Sequence, residues 1–311
     1  MPPILPRLED LVEMRGRDQK GLYRWYYEKD RPKIRAFRSY LGASVWTVFL
    51  SRLATSPLNH LANCYASRVM GYKAMIDILK SSTIAHLYPT ILGRTVPSNV
   101  LTFTIAETMK FYVDGQSIVR RETGEKQTQR SLFMKNFYAG AFASMITSSL
   151  FYPVESCQRH RTIDMGYGKS RYIGVTHCME QRYIQSGGAG LYKGMSVSLV
   201  GSMLYRGLFF GFFEVGRVNV VPEGQKPTFS LLFAIAFVTS AAAGLVTQPL
   251  DALRMTFFKE QYNNWPKAQH PWSFVKHVRI RTVVHLLPIT LVKSVGPALA
   301  LTMFTRFKKE F

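Results

Sequence analysis

The chain has 311 residues, with 40 Lys and Arg against 19 Asp and Glu, a formal net charge of +21. With 47% hydrophobic and 13% aromatic residues at a mean hydropathy of −0.02, it is not a disordered, collagenous or coiled-coil chain. Three cysteines (Cys64, Cys157, Cys178) exclude a secreted disulfide scaffold, and the excess of base leaves a nucleic-acid binder or a protein seated in an anionic membrane.

Residues 1–37 are polar, basic and aromatic, and read as an extension outside the membrane. The opening MPPILPRLED has neither an apolar core nor a small-residue cleavage site, so no secretory signal is expected. Residues 40–57 then form an apolar run around the single base Arg52, and residues 94–106 form another led by Arg94. Residues 136–154 hold 19 positions without a charged side chain. Residues 194–213 follow around Arg206, then a second uncharged run at 229–247, and last residues 286–304 around Lys293. A helix crossing about 30 Å of hydrocarbon needs about 20 residues. Six spans are therefore expected. A base inside lipid is costly, so these lone bases should face a wet interior or a partner.

Three of the spans end alike, at Thr55-Ser56-Pro57-Leu58-Asn59, Phe151-Tyr152-Pro153-Val154-Glu155 and Thr247-Gln248-Pro249-Leu250-Asp251. The prolines recur every 96 residues, and a period this long implies three copies of one unit that bury their faces against each other. Each proline deletes a backbone hydrogen bond and should kink its helix. The expected fold is an all-α membrane protein of six transmembrane helices in three pseudo-symmetric two-helix repeats, at about 38–115, 131–220 and 227–311. The domain as a whole covers 38–311.

The second repeat carries Tyr172-Ile173-Gly174-Val175-Thr176-His177-Cys178, then Ser186-Gly187 and Leu191-Tyr192-Lys193-Gly194, then Gly201-Ser202-Met203-Leu204-Tyr205-Arg206-Gly207. With Pro97-Ser98-Asn99-Val100-Leu101-Thr102-Phe103 and Ala243-Gly244-Leu245-Val246, this resembles the mitochondrial carrier family, closest to its ADP/ATP carrier branch. The resemblance implies a multi-pass protein of the mitochondrial inner membrane, with short amphipathic matrix helices and both termini toward the intermembrane space. It also implies transport between two closed ends around a central site, each end locked by ion pairs between repeats.

By position, the family's central substrate contacts fall on Arg52, Arg94 and Lys293, with Gly201, Ser202 and Tyr205 as the adenine-side pocket. Three bases and an aromatic face suit a phosphorylated nucleotide. The matrix gate falls on Asn59, Glu155 and Asp251 as acids and Ala62, Gln158 and Arg254 as bases. Only Glu155–Arg254 can bridge there, which leaves one lock of three. The opposite, cytoplasmic-side gate falls on Glu107, Lys110, Glu214, Arg217, Thr305 and Lys308, where Lys110–Glu214 and Lys308–Glu107 can form. The branch's run of three arginines and three methionines is replaced by Arg254-Met255-Thr256-Phe257-Phe258-Lys259. From Pro57 to Pro97 is only 40 residues, and Ala85-His86-Leu87 stands where the motif has aromatic-base-Gly, so the first repeat should lack a full matrix helix.

Gly174, Lys193 and Gly194 match the positions where the family holds cardiolipin, and helix N-termini offer free N–H groups to phosphate. Other signals are weaker. Gly168-Lys169-Ser170 is no phosphate loop, because Ile163 occupies the first glycine position. Cys157, His160, His177 and Cys178 could in principle ligate zinc, but the resemblance already accounts for His177-Cys178, and no metal is expected. No nucleophile–base or paired-carboxylate pattern stands out, so an enzyme is not expected, and no nucleic-acid module accompanies the basic charge. Two functions fit. The degraded gates and the aromatic, basic extension favour a carrier fold retired from transport, built as a structural subunit into a respiratory-chain or other inner-membrane complex and held partly by residues 1–37. The central bases favour an active exchanger of an anionic, nucleotide-like solute.

Overall fold

A computed structural model describes residues 40–55, 93, 95–110, 129–166, 171–221, 227–263 and 280–307. The regular elements within them are all helices: α1 (40–55), α2 (95–110), α3 (Gln129–Gly166), α4 (Val175–Leu191), α5 (Met195–Val220), α6 (Phe229–Asn263) and α7 (Ile280–Phe307). The extension (1–37), Pro57, Asn59, Ala62, Arg94 and Lys308 lie outside the described residues.

Among the described residues, three segments are long and apolar enough to cross a membrane: Met195–Val220, Phe229–Asn263 and Leu287–Phe307. Six were expected. In α1 and α2 only 16 residues each are described, fewer than a span requires, and α3 dilutes its apolar run with Asn136, Ser144, Thr147, Ser148 and Ser149. Thr147 and Ser148 pair with hydroxyls of neighbouring helices, so hydropathy alone undervalues α3.

Helices in lipid gain little from burying apolar area against one another, so close packing and interhelical hydrogen bonds must hold them together. Both are present. Gly207 and Gly211 lie one turn apart on α5 and press on Phe137 and Phe133 of α3; a Cβ at Gly207 or Gly211 would sit 2.8 or 2.7 Å from those rings. Gly140 of α3 answers them, since a Cβ there would lie 2.8 Å from the Arg206 carbonyl oxygen. Gly244 of α6 gives the same close approach to Thr290 of α7. A ladder of hydroxyl pairs then links helix to helix: Ser44–Thr104 (3.1 Å), Thr102–Thr147 (2.9 Å), Ser148–Ser202 (2.9 Å) and Tyr205–Ser240 (2.9 Å). It runs from α1 through α2, α3 and α5 to α6. Phe103 joins α2 to the far side, stacking on Phe304 of α7 at 5.4 Å and meeting Phe210 edge-on at 5.6 Å.

Pro153 and Pro249 both sit inside long helices, α3 and α6. α4 is the short amphipathic element expected between the spans of the second repeat, and it packs on α3.

Candidate functional site

The central constellation gathers around Tyr205 on α5. Its hydroxyl shares a hydrogen bond with Ser240, and its ring stacks on Phe209 at 6.1 Å. Arg52 of α1 and Arg206 of α5 are both near enough to act on Tyr205 electrostatically. Arg52 Nε is buried without a hydrogen-bond partner, so the guanidinium keeps donor capacity. Arg206 donates to Asn99 Oδ1 of α2 at 3.2 Å, and Asn99 in turn donates to the Thr95 carbonyl. Two cations and an aromatic ring thus converge from α1 and α5, with amide and hydroxyl groups from α2 and α6.

The expected site residues divide. Arg52 and Tyr205 come together. Ser202 is one turn back on α5, where its hydroxyl pairs with Ser148 and donates to the Leu199 carbonyl. Gly201 faces Leu250, whose Cβ would lie 3.8 Å from a Cβ on the glycine. Lys293 of α7 has Asp251, Arg159 and Arg254 as electrostatic neighbours, which places it toward the proline-side ion cluster. Arg206 and Asn99 were not expected as a pair. The one available signal was a lone base in an apolar run, and that does not identify its partner.

The proline-side cluster lies just past Pro153 and Pro249. Arg254 Nη1 of α6 comes within 3.6 Å of Glu155 Oε1 of α3, the cross-helix pair that the spacing allows. Both members hold closer partners on their own helices. Arg159 reaches Glu155 at 2.8 Å, and Arg254 reaches Asp251 at 2.8 Å. Asp251, whose base in the next repeat would be Ala62, therefore has a partner on its own helix. Arg159 was missed because it lies outside the acid-and-base spacing, one helical turn beyond Glu155 where an ordinary i,i+4 pair forms. Gln158 also makes an interaction within this structure.

At the opposite end the pairing differs from expectation. Lys110 bridges Glu107 of its own helix at 2.9 Å, not Glu214, and lies 4.9 Å over the Phe210 ring. Glu214 pairs with Arg217, again three residues away. The same motif offers each base an acid on its own turn and another across the helix interface. An i,i+3 partner orders fewer groups, so it competes with the cross-helix one. Thr305, in the position of the missing acid, donates to the Leu301 carbonyl at 2.7 Å.

Gly174 is the N-cap of α4 and its carbonyl accepts the Cys178 N–H at 3.1 Å. Gly194 is the N-cap of α5 at φ +87°, and neither helix start has a side-chain cap. The turn between them is fixed by the Tyr152 hydroxyl, which donates to the Lys193 carbonyl at 2.7 Å. Burial holds the Lys193 amine below the ordinary lysine range. Cys157 and Cys178 are buried free thiols close to each other between α3 and α4. Among the described residues no three His, Cys, Asp or Glu side chains come together as metal ligands.

Residues 129–222 match the family model of mitochondrial carrier proteins. The chain is 27% identical over 192 residues to a mitochondrial substrate carrier family protein, ancA, of Dictyostelium discoideum, covering 59% of this chain and 60% of that protein. It is 26% identical over 226 residues to ADP/ATP translocase 4 of Macaca fascicularis (70% and 69%), and 28% identical over 137 residues to an ADP,ATP carrier protein of Parachlorella kessleri (42% and 40%). The matches thus span from under half to about two thirds of these relatives.

Proposed function

We infer that this chain, which belongs to the mitochondrial carrier family, is a multi-pass inner-membrane protein that keeps the family's central cavity but not its gating, and serves as a structural subunit of a larger inner-membrane complex. The gate residues carry the reading. An alternating carrier closes each end with ion pairs between repeats, and those pairs must outcompete pairs within each helix. In this chain Asn59, Ala62, Gln158 and Thr305 have removed four of the charges. Among the described residues, close pairs form within single helices, as Arg159–Glu155, Arg254–Asp251, Lys110–Glu107 and Arg217–Glu214. The cross-helix Glu155–Arg254 contact, at 3.6 Å, is the longest of the set. A fold that packs through glycines and hydroxyl pairs stays assembled without these locks; a transport cycle does not run without them. Bound cardiolipin at Gly174, Lys193 and Gly194 suits a scaffold as well as a carrier.

A second reading has its own support. Arg52 and Arg206 beside Tyr205 form a cationic, aromatic site of the kind that binds a phosphorylated, nucleotide-like solute. Proteoliposomes loaded with ADP and offered external ATP separate the two. No exchange above protein-free vesicles is expected. Exchange that falls at least tenfold in Arg52→Ala overturns the structural reading and establishes the second.

A further inference from the structure

Beyond the Glu155–Arg254 pair, α3 and α6 meet again near their ends. The Tyr262 hydroxyl donates to Asp164 Oδ1 at 2.5 Å, and both residues are buried. The other oxygen of Asp164 accepts the Tyr172 backbone N–H at 3.0 Å, so the carboxylate is held from two sides. Arg171 grips Tyr262 from the opposite direction, donating to its carbonyl oxygen at 3.0 Å with the guanidinium 4.8 Å from the ring centre. His160 and Tyr172 pack around the same phenol. Four residues from α3 and the segment before α4 thus close on one residue of α6.

We propose that Asp164, Tyr262 and Arg171 form a second lock between the second and third repeats at the matrix end, set deeper than the ion pair. The proposal rests on the carrier reading for which end this is. Position gives the lock its leverage. Asp164 lies nine residues past Glu155 and Tyr262 eight past Arg254, about 13 Å and about 12 Å farther along their helices. Helices that splay about a central cavity separate most at their ends, so a bond there opposes opening more effectively than one near the cavity. It is also better made: a buried hydroxyl on a carboxylate is charge-assisted and short, unlike the 3.6 Å ion pair.

Native thiols report on it. Cys178, with Cys157 against it, lies near Asp164 and Tyr172, and both thiols are fully buried, so they react with N-ethylmaleimide when the segment before α4 is released from α6 and α4 loosens on α3. The full chain in detergent is alkylated over time and each modified cysteine assigned by mass spectrometry, with unfolding midpoints measured in parallel. Tyr262→Phe, which removes one hydroxyl and keeps the ring, is expected to raise the rate at both thiols about tenfold, equivalent to about 1.4 kcal/mol. Asp164→Asn should act in the same direction, and the double variant little more than either alone, since they share one bond. Arg171→Ala, which lies outside the helices, serves if Tyr262→Phe does not fold. Unchanged rates overturn the proposal, as does a rise that comes only with a matching fall in the unfolding midpoint. The readout involves no transport, so its failure is distinct from failure of the proposed function.

Discussion

Gly194→Ala is expected to cost roughly 3 kcal/mol of stability and to lower the unfolding midpoint of the purified protein by roughly 6–12 °C. Two effects add. The backbone at Gly194 is left-handed, φ +87°, where an L side chain costs about 1–2 kcal/mol. A Cβ there would also lie 2.1 Å from the Phe257 ring, which is buried against Val197 and Leu253 and has no room to turn away. Overfilling such a site costs about 1–3 kcal/mol. Gly188→Ala is the control. It is exposed, nothing lies within 4 Å of its Cβ position, and its midpoint should move by under about 0.5 kcal/mol equivalent. Equal effects at the two glycines would mean that the turn between α4 and α5 is not as described.

Arg254→Ala is expected to destabilise the protein by about 2 kcal/mol. Its guanidinium is largely buried and sits between Asp251 at 2.8 Å and Glu155 at 3.6 Å, so truncation leaves two carboxylates facing one another with less cation between them. The loss is kept below the full cost of an orphaned buried charge because Asp251 is half exposed and Glu155 retains Arg159. Arg254→Lys should recover part of it, since an ammonium restores the charge but not the two-pronged reach. A double-mutant cycle with Glu155→Gln, read by thermal unfolding, should give a coupling under about 1 kcal/mol, as expected for a long cross-helix contact. A larger coupling would show that the matrix lock is stronger than the proposed function allows.

The sequence showed its architecture through repetition. Pro57, Pro153 and Pro249 at equal spacing, and uncharged runs of span length, are one-dimensional signals of a three-unit helical protein. The tight α3–α5 approach was also open to inference, because Gly207 and Gly211 stand four apart in an apolar run. What stayed hidden was the choice of partner. Tyr262 and Asp164 are 98 residues apart and belong to no common period, and neither carries a pattern pointing to the other. Lys110 had two acids within reach of its motif, and nothing in the sequence decides that Glu107 takes it. Arg206 was visible as an isolated base in an apolar span, yet nothing in its neighbours named Asn99 on another helix. Likewise Asp251 appeared unpartnered, because cross-repeat spacing draws attention away from the base three residues along its own helix.

The central claim is that the chain works as part of a larger assembly, and native size tests it most directly. Mitochondria opened in a mild detergent would be run on a native gel, with the tagged protein followed and its band identified by mass spectrometry. The account predicts comigration with an inner-membrane complex in a fixed ratio to that complex's subunits. Migration as a lone 35.5 kDa chain with its detergent would contradict it.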